Sequence, residues 1–168
     1  MSAIHSQRHE RALGKTGDVA CLPMQPLATA SIRRPFHWGI VVVSDVESGG
    51  LIPDVDPERA VSANENGIVA LIRHAQDVDS FEGEFDWAEA EVFVRLLTEE
   101  EPPALDRREV FRGRLKTPTG RISVGDADGE VVHPAHDGWN EVVLTVASAV
   151  NATDLSPDAI RIDLLPGG

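Results

Sequence analysis

The chain has 168 residues, 42% hydrophobic and 26% charged, with a formal net charge of −13. That size and composition fit one globular domain, and the low aromatic content of 5%, with no Tyr, calls for a core of Val, Ile, Leu and Ala. A single cysteine, Cys21, excludes an intramolecular disulfide and a four-cysteine zinc site. No run approaches the roughly 20 apolar residues of a membrane span, and the acidity argues against nucleic acid and anionic lipid as partners.

Charge is sorted along the chain. Phe36 to Asp106 holds 17 acidic residues against three arginines, Arg59, Arg73 and Arg95. The next 15 residues, Arg107 to Arg121, hold six basic residues against Glu109. Residues 1–35 are rich in Ser, Arg, His, Gly and Pro and lack sustained periodicity. They read as a flexible basic extension without an apolar leader segment, ahead of a single domain over 36–168.

From Phe36 onward the pattern is that of strands. Trp38 to Ser44 is a β-branched run, and Gly67 to His74 is a second. Between them, residues 51–66 carry Pro53, Pro57 and many acids and read as a loop, with Asp56 and Pro57 placed to start one helical turn. Phe81 to Leu97 alternates, but its parity flips between Trp87 and Ala88, as at a β-bulge; a helix over Trp87 to Leu97 is the rival reading. Val110–Leu115, Arg121–Gly125, Glu130–His133, Asn140–Ala147 and Ile160–Leu164 follow as strands, and Asp126-Ala127-Asp128-Gly129 marks a hairpin. About eight short strands, at most one or two helical turns and no βαβ alternation predict a mainly β fold, an antiparallel β-sandwich.

The candidate sites rest on side-chain chemistry. Alternation puts Glu82, Glu84 and Asp86 on one strand face, and likewise Glu89 and Glu91. Such a face is ordinarily solvated, yet its self-repulsion would be relieved by a basic partner. Cross-strand pairing with the basic segment, through Arg112 and Arg114, is the internal way to relieve it. His133, His136 and Asp137 could offer two imidazoles and a carboxylate to a metal, although Pro134 rules out the helix that would align them. His37 and His74, in strand-like segments, are further donors. Asp126 and Asp128 resemble the start of a calcium loop, but Asp137 stands where the closing Glu belongs and the flanks read as strands, so a hairpin turn explains them better. No GxSxG, GxGxxG or P-loop pattern is present.

The segment order resembles the competence protein J family, small intracellular inhibitors of a DNA-entry nuclease. The similar features are an early strand ending in Asp (His37 to Asp45), a central alternating strand, a Gly-containing hairpin (Gly120 to Val132) and a last strand closing on Asp163-Leu164-Leu165-Pro166. The resemblance covers residues 36 to 166 and implies a β-sandwich that binds a protein, with no catalytic residues carried over. Bacterial immunity proteins against secreted toxins look similar.

The function expected is therefore a non-enzymatic, cytoplasmic, acidic module that needs no cofactor and binds a basic protein, a nuclease or toxin. Two alternatives stand beside it: a metal- or small-ligand-binding sandwich, possibly an enzyme, and a structural homo-oligomer formed through an uncovered sheet face.

Overall fold

A computed structural model describes residues 25–78, 86–102 and 104–168. Over these residues the chain is all β. Sheet A has the order β1 (Ala28–Pro35), β5 (Glu89–Leu96), β10 (Ala159–Pro166), β9 (Gly138–Ala147) and β6 (Arg107–Thr117). Sheet B has the order β3 (Val61–Ala63), β4 (Gly67–Leu71), β2 (Ile40–Asp45), β7 (Arg121–Asp126) and β8 (Gly129–Pro134). Neighbours are antiparallel throughout, except that β5 and β10 run parallel.

The predicted sandwich is what forms, and period-2 alternation is the reason. Val41 and Val43 of β2, with Ile122 and Val124 of β7, face Val92 and Val94 of β5, Ile162 and Leu164 of β10 and Leu144 of β9 across one core. Phe36, fully buried, fills one end of it. No helix among the described residues is long and apolar enough to cross a membrane.

Several expectations are corrected. Of the flexible extension expected over residues 1–35, Ala28–Pro35 is instead strand β1, paired along its length with β5. Its alternation is real, with Ile32 buried and Ser31 and Arg33 exposed, yet its inward residues are Ala28, Ala30, Ile32 and Arg34, too few of them large and apolar to register as a hydrophobic period. Residues 1–24 lie outside the described residues. The loop predicted over 51–66 contains the three-residue strand β3 at its end, and the helical turn there is a non-helical turn in which Asp56 Oδ1 accepts the Glu58 amide at 3.0 Å. The rival helix over Trp87 to Leu97 is a strand from Glu89, because Ala90, Val92, Val94 and Leu96 alternate inward. Residues 81–85, which precede the bulge expected at Trp87, lie outside the described residues; a register shift does occur in β6, between Glu109 and Phe111 against β9. The basic strand β6 does not lie beside the acidic β5: β10 and β9 separate them.

Local chemistry fixes the junctions between sheets. The link from β1 to β2 turns at Gly39, whose φ of 61° is a left-handed conformation, and the Gly39 amide donates to Phe36 O at 3.1 Å. Asp45 ends β2 and is 3% exposed. Its Oδ2 accepts the Thr119 amide at 3.0 Å and the Thr119 hydroxyl at 2.7 Å, while Oδ1 accepts the Glu47 amide at 2.9 Å. The carboxylate thus ties the end of β2 to the β6–β7 turn. Burial alone would raise its pKa, but these hydrogen bonds and nearby Arg121 hold it below the ordinary aspartate value.

The outer face of sheet A is covered by the connection from β5 to β6, which must pass over β10 and β9. Beneath it, Arg95 donates to Asp163 twice, Nε to Oδ1 at 2.7 Å and Nη2 to Oδ2 at 2.9 Å. Both residues are buried, and they are register partners across the parallel pair. Arg95 Nη1 also meets Glu101 Oε2 of the strap at 2.8 Å, and Arg161 Nε lies 3.3 Å from Asp163 Oδ2. Leu97, Val143 and Leu165 form a small apolar cluster beside this network.

Removing Asp163 leaves the buried Arg95 with Glu101 as its one remaining carboxylate and takes from Arg161 its carboxylate partner. Asp163→Ala is expected to lower the unfolding free energy by roughly 3–5 kcal/mol. Arg33→Ala, which removes an exposed pair with Glu89, is expected to cost less than about 1 kcal/mol. Urea unfolding of the two variants checks the contrast.

Candidate functional site

Of the predicted acidic face, Glu82 and Glu84 lie outside the described residues. Asp86 is exposed just before β5, and Glu89 and Glu91 point outward from it. Sheet A already engages the last two: Arg33 Nε meets Glu89 Oε2 at 2.9 Å, and the Ser31 hydroxyl donates to Glu91 Oε1 at 2.9 Å. Asp86 and Glu89 line an open, mainly polar hollow of about 730 Å³ with Arg33, Arg73, Trp87 and Asp158. Its charges are mixed rather than uniformly acidic.

The residues weighed as metal ligands have separate tasks. The His136 ring Nε2 lies 2.8 Å from Leu97 O, and the Asn140 side chain and the Thr117 hydroxyl hold the His136 backbone. Asp137 is exposed in that loop. His133 points into the core from β8 at 2% exposure, its Nδ1 2.7 Å from Pro134 O and its Nε2 without a hydrogen-bond partner. Asp126 accepts Arg34 of β1 and the Asp128 amide on Oδ1, so the β7–β8 turn is a hairpin tied to β1, with Asp128 exposed at its tip. His37 packs edge-on against Trp87, with ring centroids 5.0 Å apart. Among the described residues no three His, Cys, Asp or Glu side chains gather in an arrangement that could hold a metal ion.

The outer face of sheet B carries a feature that sequence reasoning missed. Ile40, Val42 and Ser44 of β2 and Ser123 and Gly125 of β7 floor an open cleft of about 400 Å³. Trp38, Ile52 and the hairpin residues Asp126, Ala127 and Glu130 form its rims. Gly125 is required here by close approach, since a Cβ would fall 2.2 Å from Gly129 O and 2.6 Å from Glu130 Cα. Trp38 is 62% exposed and Val132, on the same sheet face, 53%. The β-branched run from Trp38 to Ser44 reads as a strand buried on both faces, whereas only its Val41 and Val43 side is closed. The signal lay in Ile40 and Val42: apolar residues on both faces of a strand require a cover on both faces, and here one is open.

Charge balance distinguishes the two outer faces. On sheet A, Arg33 meets Glu89, Arg95 meets Asp163 and Glu101, and Arg112 is gripped by Glu100, Glu109 and Glu141. Around the sheet B cleft, the loop after β2 carries Glu47, Asp54, Asp56 and Glu58, and the hairpin carries Asp128 and Glu130. Of these six only Asp56 has an ion-pair partner among the described residues, Arg59.

No protein-family model and no curated protein matches the sequence. Two solved structures match the chain. One, described as ComJ, inhibitor of the DNA degrading activity of NucA, from Bacillus subtilis, aligns with 86% of this chain and 98% of its own, at 13% identity and a TM-score of 0.55. The other, described as crocagin biosynthetic gene J, aligns with 84% of this chain and 98% of its own, at 13% identity and a TM-score of 0.47. At this identity the ComJ likeness concerns the fold.

The environment of His133 sets a pH dependence. Burial pushes its imidazole below the ordinary histidine value, and the Pro134 carbonyl opposes that only in part. Above about pH 6.5 the ring is neutral whether the chain is folded or not, so it leaves stability unchanged. As pH falls from there toward the lower folded value, the unfolded chain takes up a proton that the folded chain resists. Stability is therefore expected to fall by up to roughly 1 kcal/mol per pH unit in that window. His133→Gln should remove this component, as read by urea unfolding between about pH 7.5 and pH 5.

Proposed function

We propose that this chain is a non-enzymatic inhibitor or immunity-type protein that binds a basic protein, a nuclease or a toxin, in the cytoplasm. The observation that carries the reading is the fold shared with ComJ over 98% of that inhibitor's chain. The charge supports the kind of partner. With a net charge of −13, and with carboxylates left uncompensated around the sheet B cleft, the chain favours a positively charged surface and repels nucleic acid itself. An inhibitor of this kind acts by occlusion. It needs a stable scaffold and a complementary surface, and it supplies no reacting group.

Two acidic surfaces are available for the contact. One is the stripe of Asp86, Glu89 and Glu91 on sheet A, extended in sequence by Glu82 and Glu84. The other is the cleft of sheet B.

The test is affinity capture from the native host, followed by assay of the captured protein with and without the purified chain. The expected partner is basic and loses its nuclease or toxic activity when the chain is added. Association is expected to slow by at least about tenfold between low and high salt, because long-range attraction is screened. A partner that is acidic, or binding that ignores salt, would overturn the reading.

A further inference from the structure

Sheet A and sheet B differ in what lies on their outer faces. Sheet A is crossed by the strap from β5 to β6, and Arg33, Arg95 and Arg112 on it are each paired with carboxylates. Sheet B presents a half-buried apolar floor at Ile40 and Val42, flanked by an exposed indole and by Glu130, which no Lys or Arg of the described residues pairs, whereas Asp126 beside it is held by Arg34. Water solvates that apolar floor poorly, and the carboxylates at its rim favour a positive charge. An uncharged apolar occupant would leave the rim uncompensated. A purely cationic one would leave the floor bare. The two features together select an occupant that is apolar at its base and positive at its edge.

We propose that the cleft on the outer face of sheet B is the surface that holds the partner, and that its occupant is a basic protein segment placing an apolar side chain on Ile40 and Val42 and a Lys or Arg side chain between Trp38 and Glu130. The choice of a protein occupant rests on the inhibitor reading above. The cleft's volume of about 400 Å³ is enough for two side chains of that size and too small for a domain, so the partner contributes a loop or a chain end that projects. Trp38 offers an aromatic face to the cation. Glu130 is already oriented, since its carboxylate accepts the Ser123 hydroxyl from the cleft floor. Gly125 keeps the floor low beside it, as no side chain stands there. The acidic loop after β2 adds attraction at longer range through Glu47, Asp54 and Glu58.

The probe is acetyl-Leu-Arg-amide, with acetyl-Leu-citrulline-amide as its uncharged isostere, titrated into the ¹⁵N-labelled full chain and followed by amide and indole shifts. The expected result is perturbation centred on Trp38, Val42, Ser123 and Gly125. Citrulline should bind at least about two- to fivefold more weakly, and so should the Arg probe to Trp38→Ala or Glu130→Gln. Both variants replace exposed side chains, and their spectra report whether they remain folded. Equal binding of the two probes, shifts centred on Asp86 to Glu91, or no shifts at millimolar probe would each overturn the assignment. The captured partner separates this proposal from the one beneath it. If Trp38→Ala and Glu130→Gln inhibit as well as the parent chain while reversal of Asp86, Glu89 and Glu91 abolishes inhibition, the cleft is wrong and the inhibitor reading stands. If the probe occupies the cleft but no partner is inhibited, the inhibitor reading fails and the cleft remains a site for cationic segments.

Discussion

The pairing of Arg95 with Asp163 is the constraint around which this sandwich is arranged. The two residues face each other in register across β5 and β10, the one parallel pair among the described strands. A parallel neighbour cannot be reached by a hairpin, and its bonds are slanted and somewhat weaker than antiparallel ones. Hydrophobic alternation alone would fix which faces point inward, but it leaves a slip of two residues nearly free, because such a slip keeps every side chain on its own face. A buried bidentate ion pair removes that freedom: any slip separates both charges from their partners in a poorly solvated place. The same arginine reaches Glu101, so the register of the sheet and the course of the strap above it are set together.

That arrangement explains how the charge of the chain is spent. A net charge of −13 repels itself, and the fold answers by pairing basic residues with acidic ones mainly on one face. Sheet A takes Arg33, Arg95, Arg112 and Arg161 into ion pairs, and sheet B takes few. The asymmetry leaves one side of the molecule strapped and carrying most of the ion pairs, and the other apolar, open and more negative. A protein that only needed to fold would have no use for the second side in that state, since a bare sheet face with an exposed indole invites association.

Much of this was legible in the sequence. β-Branched runs marked β2 and β4, alternation marked β5 and β10, and the Asp126 to Gly129 turn marked the β7–β8 hairpin. What escaped did so for definable reasons. β1 alternates with alanines and serines, and its place is decided by β5, far along the chain. Asp45 showed only as a polar stop after a strand, whereas its three hydrogen bonds come from the backbone of its own turn and from Thr119, 74 positions away. The cross-strand pairs imagined between Glu89 or Glu91 and Arg112 or Arg114 were the right kind of interaction between the wrong strands: alternation tells which residues share a face but not which strands are neighbours. The cleft could not be seen because it depends on Trp38, Ile52 and Glu130 coming together from three segments.

The parallel pair also governs the order in which the molecule can be assembled. Every strand of sheet B has left the ribosome by Pro134, but sheet A has a gap at its centre until residues 159–166 arrive to fill it. The closing contact joins positions 68 residues apart, which makes the last step entropically costly and slow. Through that interval β5 waits with an unpaired edge, the form of backbone most prone to pair with another chain. Its Glu89, Glu91 and Arg95 put three charges on one side of that waiting strand, and a second copy laid against it in parallel register would set like charges opposite one another. Some of the acidity thus serves the nascent chain, as a guard on an edge that the finished protein no longer exposes.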